Sequence, residues 1–219
     1  MTDRPVIAIV HSTTASIAPA TEAFAREFPQ ARLWNLLDDR LGADADELGA
    51  VALHLRRRML GLVRHGIDGG ADAVLIACSM YGGAVAVAEQ LWTTPVFASD
   101  LDMMDELARM RPARVAVLAS LESAATDSSD RLRTHLEAQG ANSDVIPVFC
   151  EGAAAAGNHD LLVKALAAGI EGETFDVLAV AQYSLSPAAG DLAEVTGLRV
   201  VNPPLLAARA VRERLGSRS

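Results

Sequence analysis

Short, continuous apolar runs recur along the chain, and turn residues bound each of them. A run that is apolar on both faces is typical of a strand buried inside a parallel sheet. The pattern therefore predicts strands at residues 6–10, 73–77, 95–98, 115–119, 145–149, 177–181 and 198–201.

Between these runs, the apolar residues recur at helical spacing. The segments with this period are residues 19–28, 48–65, 85–91, 103–109, 130–139, 159–169 and 205–215. Strands that alternate with helices are typical of an α/β fold, in which a parallel sheet is covered by helices.

The two halves of the chain resemble one another. Residues 5–13 align with residues 113–122, and residues 72–80 align with residues 176–185, where the second copy is one residue longer. Internal repeats dictate architecture. The repeat predicts two pseudo-symmetric lobes, each a short parallel sheet flanked by helices, with the active cleft between them. The predicted first lobe comprises residues 1–98 plus 203–219, and the second comprises residues 99–202.

Polar and reactive side chains cluster in the loops that follow the predicted strands. Ligands of such sheets bind beyond the carboxyl ends of the strands, where helix N–H groups point outward. The candidate site residues are His11, Ser12, Thr13 and Thr14; Cys78, Ser79, Tyr81 and Gly82; Ser120 and Glu122; and Gln182, Tyr183 and Ser184.

Cys78 is the sharpest chemical signal in the sequence. It ends an apolar strand, and Ser-Met-Tyr-Gly-Gly separates it from a helical run that begins near Ala84. A helix N-terminus favours a thiolate, so we expect a lowered pKa and a base or nucleophile at Cys78. The alternative is a cysteine that merely packs in the core, which is the interpretation that we give to Cys150.

His11 and the hydroxyl-rich loops each allow two interpretations. His11 ends the first strand, where a histidine assists proton transfer or serves only as a hydrogen-bonded structural group. Ser12, Thr13 and Thr14 either bind a carboxylate without a lysine or an arginine, or cap a helix. Both interpretations stay open for these residues.

Composition and charge restrict the partners. The 219 residues carry a net charge of −9, and Lys164 is the only lysine, which disfavours nucleic acid. No apolar stretch is long enough for a membrane span, and two cysteines suit a reducing, cytoplasmic compartment. No metal-ligand spacing and no glycine-rich nucleotide motif occurs, so we expect no metal and no cofactor. The expected partner is a small carboxylate, and a homodimer stays open.

Several stretches together resemble the aspartate/glutamate/hydantoin racemase superfamily across nearly the whole chain. They are Ile7-Ala-Ile-Val-His with Ser16-Ile-Ala-Pro, Leu33-Trp-Asn-Leu-Leu-Asp-Asp, residues 71–82, Glu151-Gly-Ala, and Val177-Leu-Ala-Val-Ala-Gln-Tyr-Ser-Leu. The chain looks most like a branch whose second motif is Ala-Gln-x-Ser. The resemblance implies cofactor-independent proton transfer at a carbon next to a carboxylate or carbonyl group of an amino-acid, dicarboxylate or hydantoin-like substrate.

The sequence departs from the racemase pattern at one decisive position. The resemblance implies one cysteine from each lobe, and Cys78 matches the first, whereas Tyr183 or Gln182 occupies the second, depending on the register. Three enzymatic interpretations follow: an epimerase that uses Cys78 with Tyr183 or His11, an isomerase with a cysteine nucleophile, or a one-cysteine lyase or decarboxylase. The rival hypothesis is a non-catalytic protein that binds a small carboxylate or has a regulatory role.

Overall fold

A computed structural model of the protein describes residues 4–217. The chain divides into two compact units. Unit 1 is Met1–Leu101 together with Pro204–Ser219, and unit 2 is Asp102–Pro203. The divisions thus fall after residues 101 and 203, where the sequence predicted them after residues 98 and 202.

Unit 1 contains a four-stranded parallel sheet in the order β2-β1-β3-β4. Its elements, in chain order, are β1 (Val6–His11), α1 (Ile17–Glu27), β2 (Arg32–Leu37), α2 (Arg40–Leu48), α3 (Leu53–Asp68), β3 (Ala73–Ile76), α4 (Ala84–Leu91) and β4 (Val96–Ala98). Short 3-10 turns at Thr14–Ser16 and Ser79–Tyr81 follow β1 and β3.

Unit 2 repeats this topology with a parallel sheet in the order β6-β5-β7-β8. Its elements are α5 (Leu101–Met110), β5 (Arg114–Ala119), α6 (Glu122–Ala138), β6 (Asp144–Phe149), α7 (His159–Ala168), β7 (Val177–Val180), α8 (Ala189–Thr196) and β8 (Arg199–Val201). A 3-10 helix at Tyr183–Ala188 follows β7, and α9 (Pro203–Gly216) returns the chain to unit 1.

The predicted α/β class with two lobes is confirmed. The central strands β1, β3, β5 and β7 are almost fully buried, as continuous apolar runs predict. The sequence missed β2 and α2. Because β2 is an edge strand with several exposed positions, it lacks a continuous apolar run. The predicted helix at residues 48–65 begins late, at Leu53, because Gly49 ends α2 in a left-handed conformation.

The same kind of hydrogen bond to an aspartate carboxylate occurs at the amino end of both sheets. The Val6 N–H donates to Asp72 Oδ2 at 2.7 Å in unit 1, and the Arg114 N–H donates to Asp176 Oδ2 at 2.8 Å in unit 2. Each aspartate immediately precedes the second central strand of its sheet. This shared contact fixes a common register for comparing the two units residue by residue.

The C-terminal helix α9 is joined to α1 through Glu27. Arg209 donates to the Glu27 carboxylate at 3.2 and 3.3 Å, and Arg212 donates to the Glu27 carbonyl at 2.7 Å. The hydrogen bond from Arg209 lowers the pKa of Glu27, against a smaller opposing effect of burial. These contacts explain why the last helix belongs to unit 1.

Candidate functional site

Cys78 lies just beyond the carboxyl end of β3, in extended backbone that leads into the 3-10 turn. The neighbouring strand β1 places Ser12 beside it, and the Ser12 hydroxyl is hydrogen-bonded to the Cys78 thiol. The backbone N–H groups of Met80 and Tyr81 favour the charged form of the thiol, and the Tyr81 N–H itself donates to the Cys78 carbonyl at 3.1 Å. Ser12 is 5% exposed, whereas Cys78 keeps partial exposure. The thiol is therefore polar in its surroundings and only partly exposed.

The pKa of Cys78 shifts in the direction opposite to the prediction. Burial raises the pKa of the thiol and the negative charge of Asp100 adds to the rise, while the hydrogen bonds from Ser12 and from the backbone oppose it. The expected lowering is wrong because α4 begins only at Ala84, beyond the 3-10 turn, and its dipole acts over a single turn. Cys78 is thus a neutral thiol at neutral pH, the form that donates a proton.

His11 is fully buried, and both of its ring nitrogens have partners. Nδ1 lies 2.7 Å from Ser16 Oγ, and Nε2 lies 2.9 Å from Asn35 Oδ1. The Ser16 hydroxyl in turn donates its proton to the Thr13 carbonyl at 2.9 Å, so the His11 ring belongs to a chain of polar contacts that runs from Asn35 to Thr13. Burial lowers the pKa of His11, which outweighs the opposing hydrogen bond to Asn35. The ring is therefore neutral and held in place, and its predicted role in proton transfer stays a prediction.

Tyr81 is in the core of unit 1. The side chain is 1% exposed, and its hydroxyl donates to the Leu41 carbonyl in α2 at 2.8 Å. Burial raises the pKa of Tyr81 to about 12. These contacts argue against the substrate contact that the sequence predicted for Tyr81. They give it instead the role of joining the cysteine loop to α2.

The remaining candidates of unit 1 are more exposed. Thr13 Oγ1 accepts from the Ala15 N–H at 3.3 Å and thereby caps the 3-10 turn, which is the capping interpretation. Thr14 is exposed, and Ser79 and Gly82 are partly exposed next to Cys78. Their predicted contacts with a substrate stay predictions.

In unit 2, Ser120 and Gln182 form a joined pair at the carboxyl ends of β5 and β7. The backbone N–H and the hydroxyl of Ser120 both donate to Gln182 Oε1, at 2.8 and 3.0 Å. A backbone N–H only donates, so the oxygen of the Gln182 amide must face Ser120. The amide nitrogen then faces away from Ser120, with two N–H donors available for other partners.

The strand register decides which residue of unit 2 corresponds to Cys78. Ala77 N–H donates to the Val10 carbonyl, and Ala181 N–H donates to the Leu118 carbonyl, both at 2.9 Å. The residue that follows each alanine begins a 3-10 segment in extended conformation, and that residue is Cys78 in one unit and Gln182 in the other. Gln182 therefore occupies the position of Cys78, and no residue is inserted.

Tyr183 corresponds to Ser79 in this register. Its side chain is 5% exposed, and Ser184 after it is half-buried. Glu122 is exposed in the first turn of α6. The predicted roles of these three residues stay predictions.

The sequence did not identify Asn202 or Ser186 as site residues. Asn202 follows β8, and its Nδ2 donates to the Ser186 carbonyl at 3.2 Å. Asn202 Oδ1 and Ser186 Oγ are buried without a hydrogen-bond partner. The rule that selected the other candidates, a polar residue directly after a strand, would have selected Asn202 if applied to β8.

Cys150 has the packing role that the sequence predicted. It is fully buried in the core of unit 2, and a side chain on Gly169 would approach its sulfur to 3.0 Å. Burial raises the pKa of Cys150 to about 11. Cys150 corresponds to Asp38 of unit 1. The Asp38 N–H donates to the carbonyl of His11, the last residue of β1, and the Cys150 N–H donates to the carbonyl of Ala119, the last residue of β5. Cys150 is therefore not a second reactive thiol in the position of Gln182.

Two surface pockets lie at the amino ends of the strands, away from Cys78. In unit 1 the lining includes Arg4, Arg32 and Asp72, and in unit 2 it includes Arg133, Ser143 and Asp144. Because neither pocket contains a candidate residue, the chemistry of the carboxyl edges, and not the size of a depression, defines the candidate site. Within residues 4–217, no group of three or more His, Cys, Asp or Glu side chains is arranged to hold a metal ion. Over the same residues, no helix is both long and apolar enough to span a membrane.

Known structures identify the fold. The chain is similar to glutamate racemase of Francisella tularensis in complex with D-glutamate (13% identity, 100% of this chain, 83% of that chain, TM-score 0.71). It is also similar to allantoin racemase of Klebsiella pneumoniae (15% identity, 97% of this chain, 88% of that chain, TM-score 0.70). A third similar structure is unliganded arylmalonate decarboxylase (18% identity, 95% of this chain, 92% of that chain, TM-score 0.62). The protein thus shares its fold with these racemases and with the decarboxylase. No protein-family model and no curated protein matches its sequence.

Proposed function

We propose that the protein catalyses cofactor-independent proton transfer at a carbon next to a carboxylate or carbonyl group of a small substrate. The observation that carries this proposal is the Cys78 thiol, which is partly exposed at the carboxyl edge of its sheet and hydrogen-bonded to Ser12. The racemase-type fold supports it, since relatives with that fold are named as racemases and as a decarboxylase. The reaction is an isomerisation or a lyase reaction.

In this proposal, Cys78 transfers the proton. In a lyase reaction, the bond to the departing carbon dioxide breaks, its electron pair stays on the carbon, and that carbon takes the Sγ–H proton of Cys78, which water then replaces. In an isomerisation, the thiolate form of Cys78 takes the proton from the carbon, and the thiol that results returns a proton to the substrate. The thiolate is stabilised by the Ser12 hydroxyl and by the backbone N–H groups of Met80 and Tyr81, since donors aimed at a developing charge lower the barrier. Ser79, Thr13 and Thr14 bind the substrate carboxylate.

Gln182 makes a symmetric mechanism with two thiols untenable for this chain. A carboxamide neither gains nor loses a proton as a general acid or base near neutral pH, so it does not replace the second thiol of a racemase. With its oxygen held by Ser120, Gln182 offers N–H donors to an anion. We therefore propose that Gln182 and Ser120, with Ser184, bind the substrate and that proton transfer through a thiol occurs only at Cys78.

The test is exchange of carbon-bound hydrogen in heavy water, followed by mass spectrometry and NMR over a panel of amino acids, hydantoins and substituted malonates. We expect deuterium incorporation or decarboxylation with at least one compound and loss of either in Cys78→Ala. The matched control is Cys150→Ala, which removes the other thiol and keeps the activity. Turnover that survives Cys78→Ala would contradict the assigned role of Cys78.

The second candidate function is non-catalytic binding of a small carboxylate. It is favoured by Gln182, which stands in unit 2 where unit 1 has Cys78. A binding protein of this kind gains thermal stability from a carboxylate ligand equally in the wild type and in Cys78→Ser. Equal thermal shifts in both, together with absence of exchange across the panel, would establish the binding protein and exclude the enzyme.

A further inference from the structure

The first turn of α2 lies directly on Ser12. A methyl group at Gly42 would lie 3.3 Å from the Ser12 carbonyl oxygen and 3.8 Å from its hydroxyl oxygen. A separation of 3.3 Å is tighter than most contacts of a methyl carbon, so any side chain at this position forces α2 or Ser12 to move. The glycine thus allows a close approach that no other residue permits without a shift.

Neither side of this contact is free to recede. On the α2 side, Arg58 binds Asp38 at 2.6 Å and Asp44 at 2.7 Å. Asp38 precedes the helix, and Asp44 lies within it. The Tyr81 hydroxyl also holds the Leu41 carbonyl. On the other side, Ser12 follows His11, whose ring is bound at both nitrogens.

Tyr81 closes a ring of contacts around the thiol. The Tyr81 side chain binds α2, while its backbone N–H donates to the Cys78 carbonyl at 3.1 Å. Helix α2 contacts Ser12 through Gly42, and the Ser12 hydroxyl binds the Cys78 sulfur. The Tyr81 side chain thus fixes α2, and α2 fixes Ser12 beside the thiol, so Tyr81 and Gly42 act on Cys78 through the same hydroxyl group.

We propose that Gly42 and Tyr81 are positioning residues that hold the Ser12 hydroxyl on the Cys78 thiol through α2. The assignment rests on the proposed function only for its catalytic consequence, since the hydrogen bond itself exists without a substrate. Moving α2 weakens the bond from Ser12, and a weaker bond leaves the thiolate less stabilised. Gly42 and Tyr81 therefore set the reactivity of Cys78 without contacting a substrate.

The test measures alkylation of Cys78 by iodoacetamide at several pH values, in the folded protein and without substrate. Ser12→Ala loses the bond, and we expect its alkylation rate at neutral pH to fall about fivefold. Gly42→Ala is expected to slow alkylation roughly threefold. The double variant Ser12→Ala/Gly42→Ala should react like Ser12→Ala alone, because both changes remove the same interaction.

Gly61→Ala is the matched control. Gly61 is exposed within α3, and a methyl group there would have no atom within 4 Å. Both substitutions replace a helical glycine by a better helix former, so only the contact with Ser12 distinguishes them. Gly61→Ala should leave alkylation unchanged, and Cys78→Ala measures any contribution from Cys150.

Tyr81→Phe gives a second route if Gly42→Ala does not fold. It removes the bond to Leu41 without adding volume, and we expect slower alkylation that Ser12→Ala does not worsen. Wild-type alkylation in a folded Gly42→Ala or Tyr81→Phe variant would overturn the proposal, as would additive losses in the double variants. Because the readout needs no turnover, a protein without enzymatic activity still decides the question.

Discussion

The two units share a backbone plan and differ at the edge where chemistry occurs. Each has four parallel strands in the same order and an aspartate that closes the amino end of the sheet. At the carboxyl edge, unit 1 has His11 and Cys78, where unit 2 has Ala119 and Gln182. Helix α2 covers Ser12 in unit 1, whereas residues 150–158 of unit 2 form turns.

The difference shows that the repeated fold preserves the frame and not the reactive groups. The contacts common to both units lie at the amino ends of strands, where they determine register. The titratable side chains of His11 and Cys78 have no titratable counterpart in unit 2, where Ala119 and Gln182 occupy the matching positions. Four comparisons of variants test this difference between the two units.

The largest expected effect separates the two cysteines. Cys78→Ala should lower the catalytic rate by at least about a hundredfold, the usual contribution of a positioned proton donor. Cys150→Ala should keep the rate and lower the free energy of unfolding by about 1 kcal/mol, because it leaves a small cavity in the core of unit 2. Steady-state kinetics and urea unfolding measure both, and a reversed pattern would contradict the assignment of the reactive thiol to unit 1.

The next effect concerns His11, whose counterpart Ala119 has no polar group. His11→Asn should lower the free energy of unfolding by about 2 kcal/mol at neutral pH, since it disrupts the buried bond to Ser16. Because burial lowers the pKa of His11, the unfolded chain takes up a proton below about pH 6.5 while the folded protein resists it. Stability is therefore fully present above that pH and is lost as the pH falls through the folded pKa.

The variant and its control separate the titration of His11 from that of other histidines. His11→Asn should flatten the loss of stability below about pH 6.5. His54→Asn, which changes an exposed histidine of α3, should leave the slope unchanged. Urea unfolding across the pH range measures both slopes, and equal slopes in the wild type and His11→Asn would refute a buried neutral ring.

A smaller effect is expected at Gln182. In Gln182→Glu, the carboxylate still accepts both bonds from Ser120, but its second oxygen cannot donate and carries negative charge. We expect the KM for a carboxylate substrate to rise by about tenfold, with kcat changed less. Gln90→Glu introduces the same charge on the exposed face of α4 and should leave KM unchanged. An unaltered KM in Gln182→Glu would show that the Gln182 amide does not donate to the substrate.

The smallest effect tests the feature that the units share. Asp72→Asn and Asp176→Asn each weaken one hydrogen bond to the first N–H of a sheet, and each should lower the free energy of unfolding by about 1 kcal/mol. Equal losses in urea unfolding would agree with equivalent frames. A loss confined to one variant would show that the two amino ends are not equivalent in energy despite their matching geometry.

The residues at the carboxyl edges could be predicted because a parallel sheet brings them there whatever the details of packing. Ser12, Cys78, Ser120 and Gln182 were all selected in this way. The sequence could not decide between Gln182 and Tyr183 as the counterpart of Cys78. Aligning Ser184 with Ser79 requires an inserted residue in unit 2, and the hydrogen-bond register excludes that insertion. The sequence also missed α2 and β2. Strand β2 was missed because it is an edge strand with exposed positions, which gives no continuous apolar run.

The sequence by itself determined the class of fold, the internal repeat and the selection of Cys78 as a candidate site residue, since all three follow from the order of apolar and polar residues along the chain. The tertiary structure decided the protonation state of Cys78, the orientation of the Gln182 amide and the role of Tyr81. These depend on burial and on partners distant in sequence, such as Ser12, Ser120 and Leu41. A local signal such as a helix start does not predict a pKa when desolvation of the thiol outweighs it.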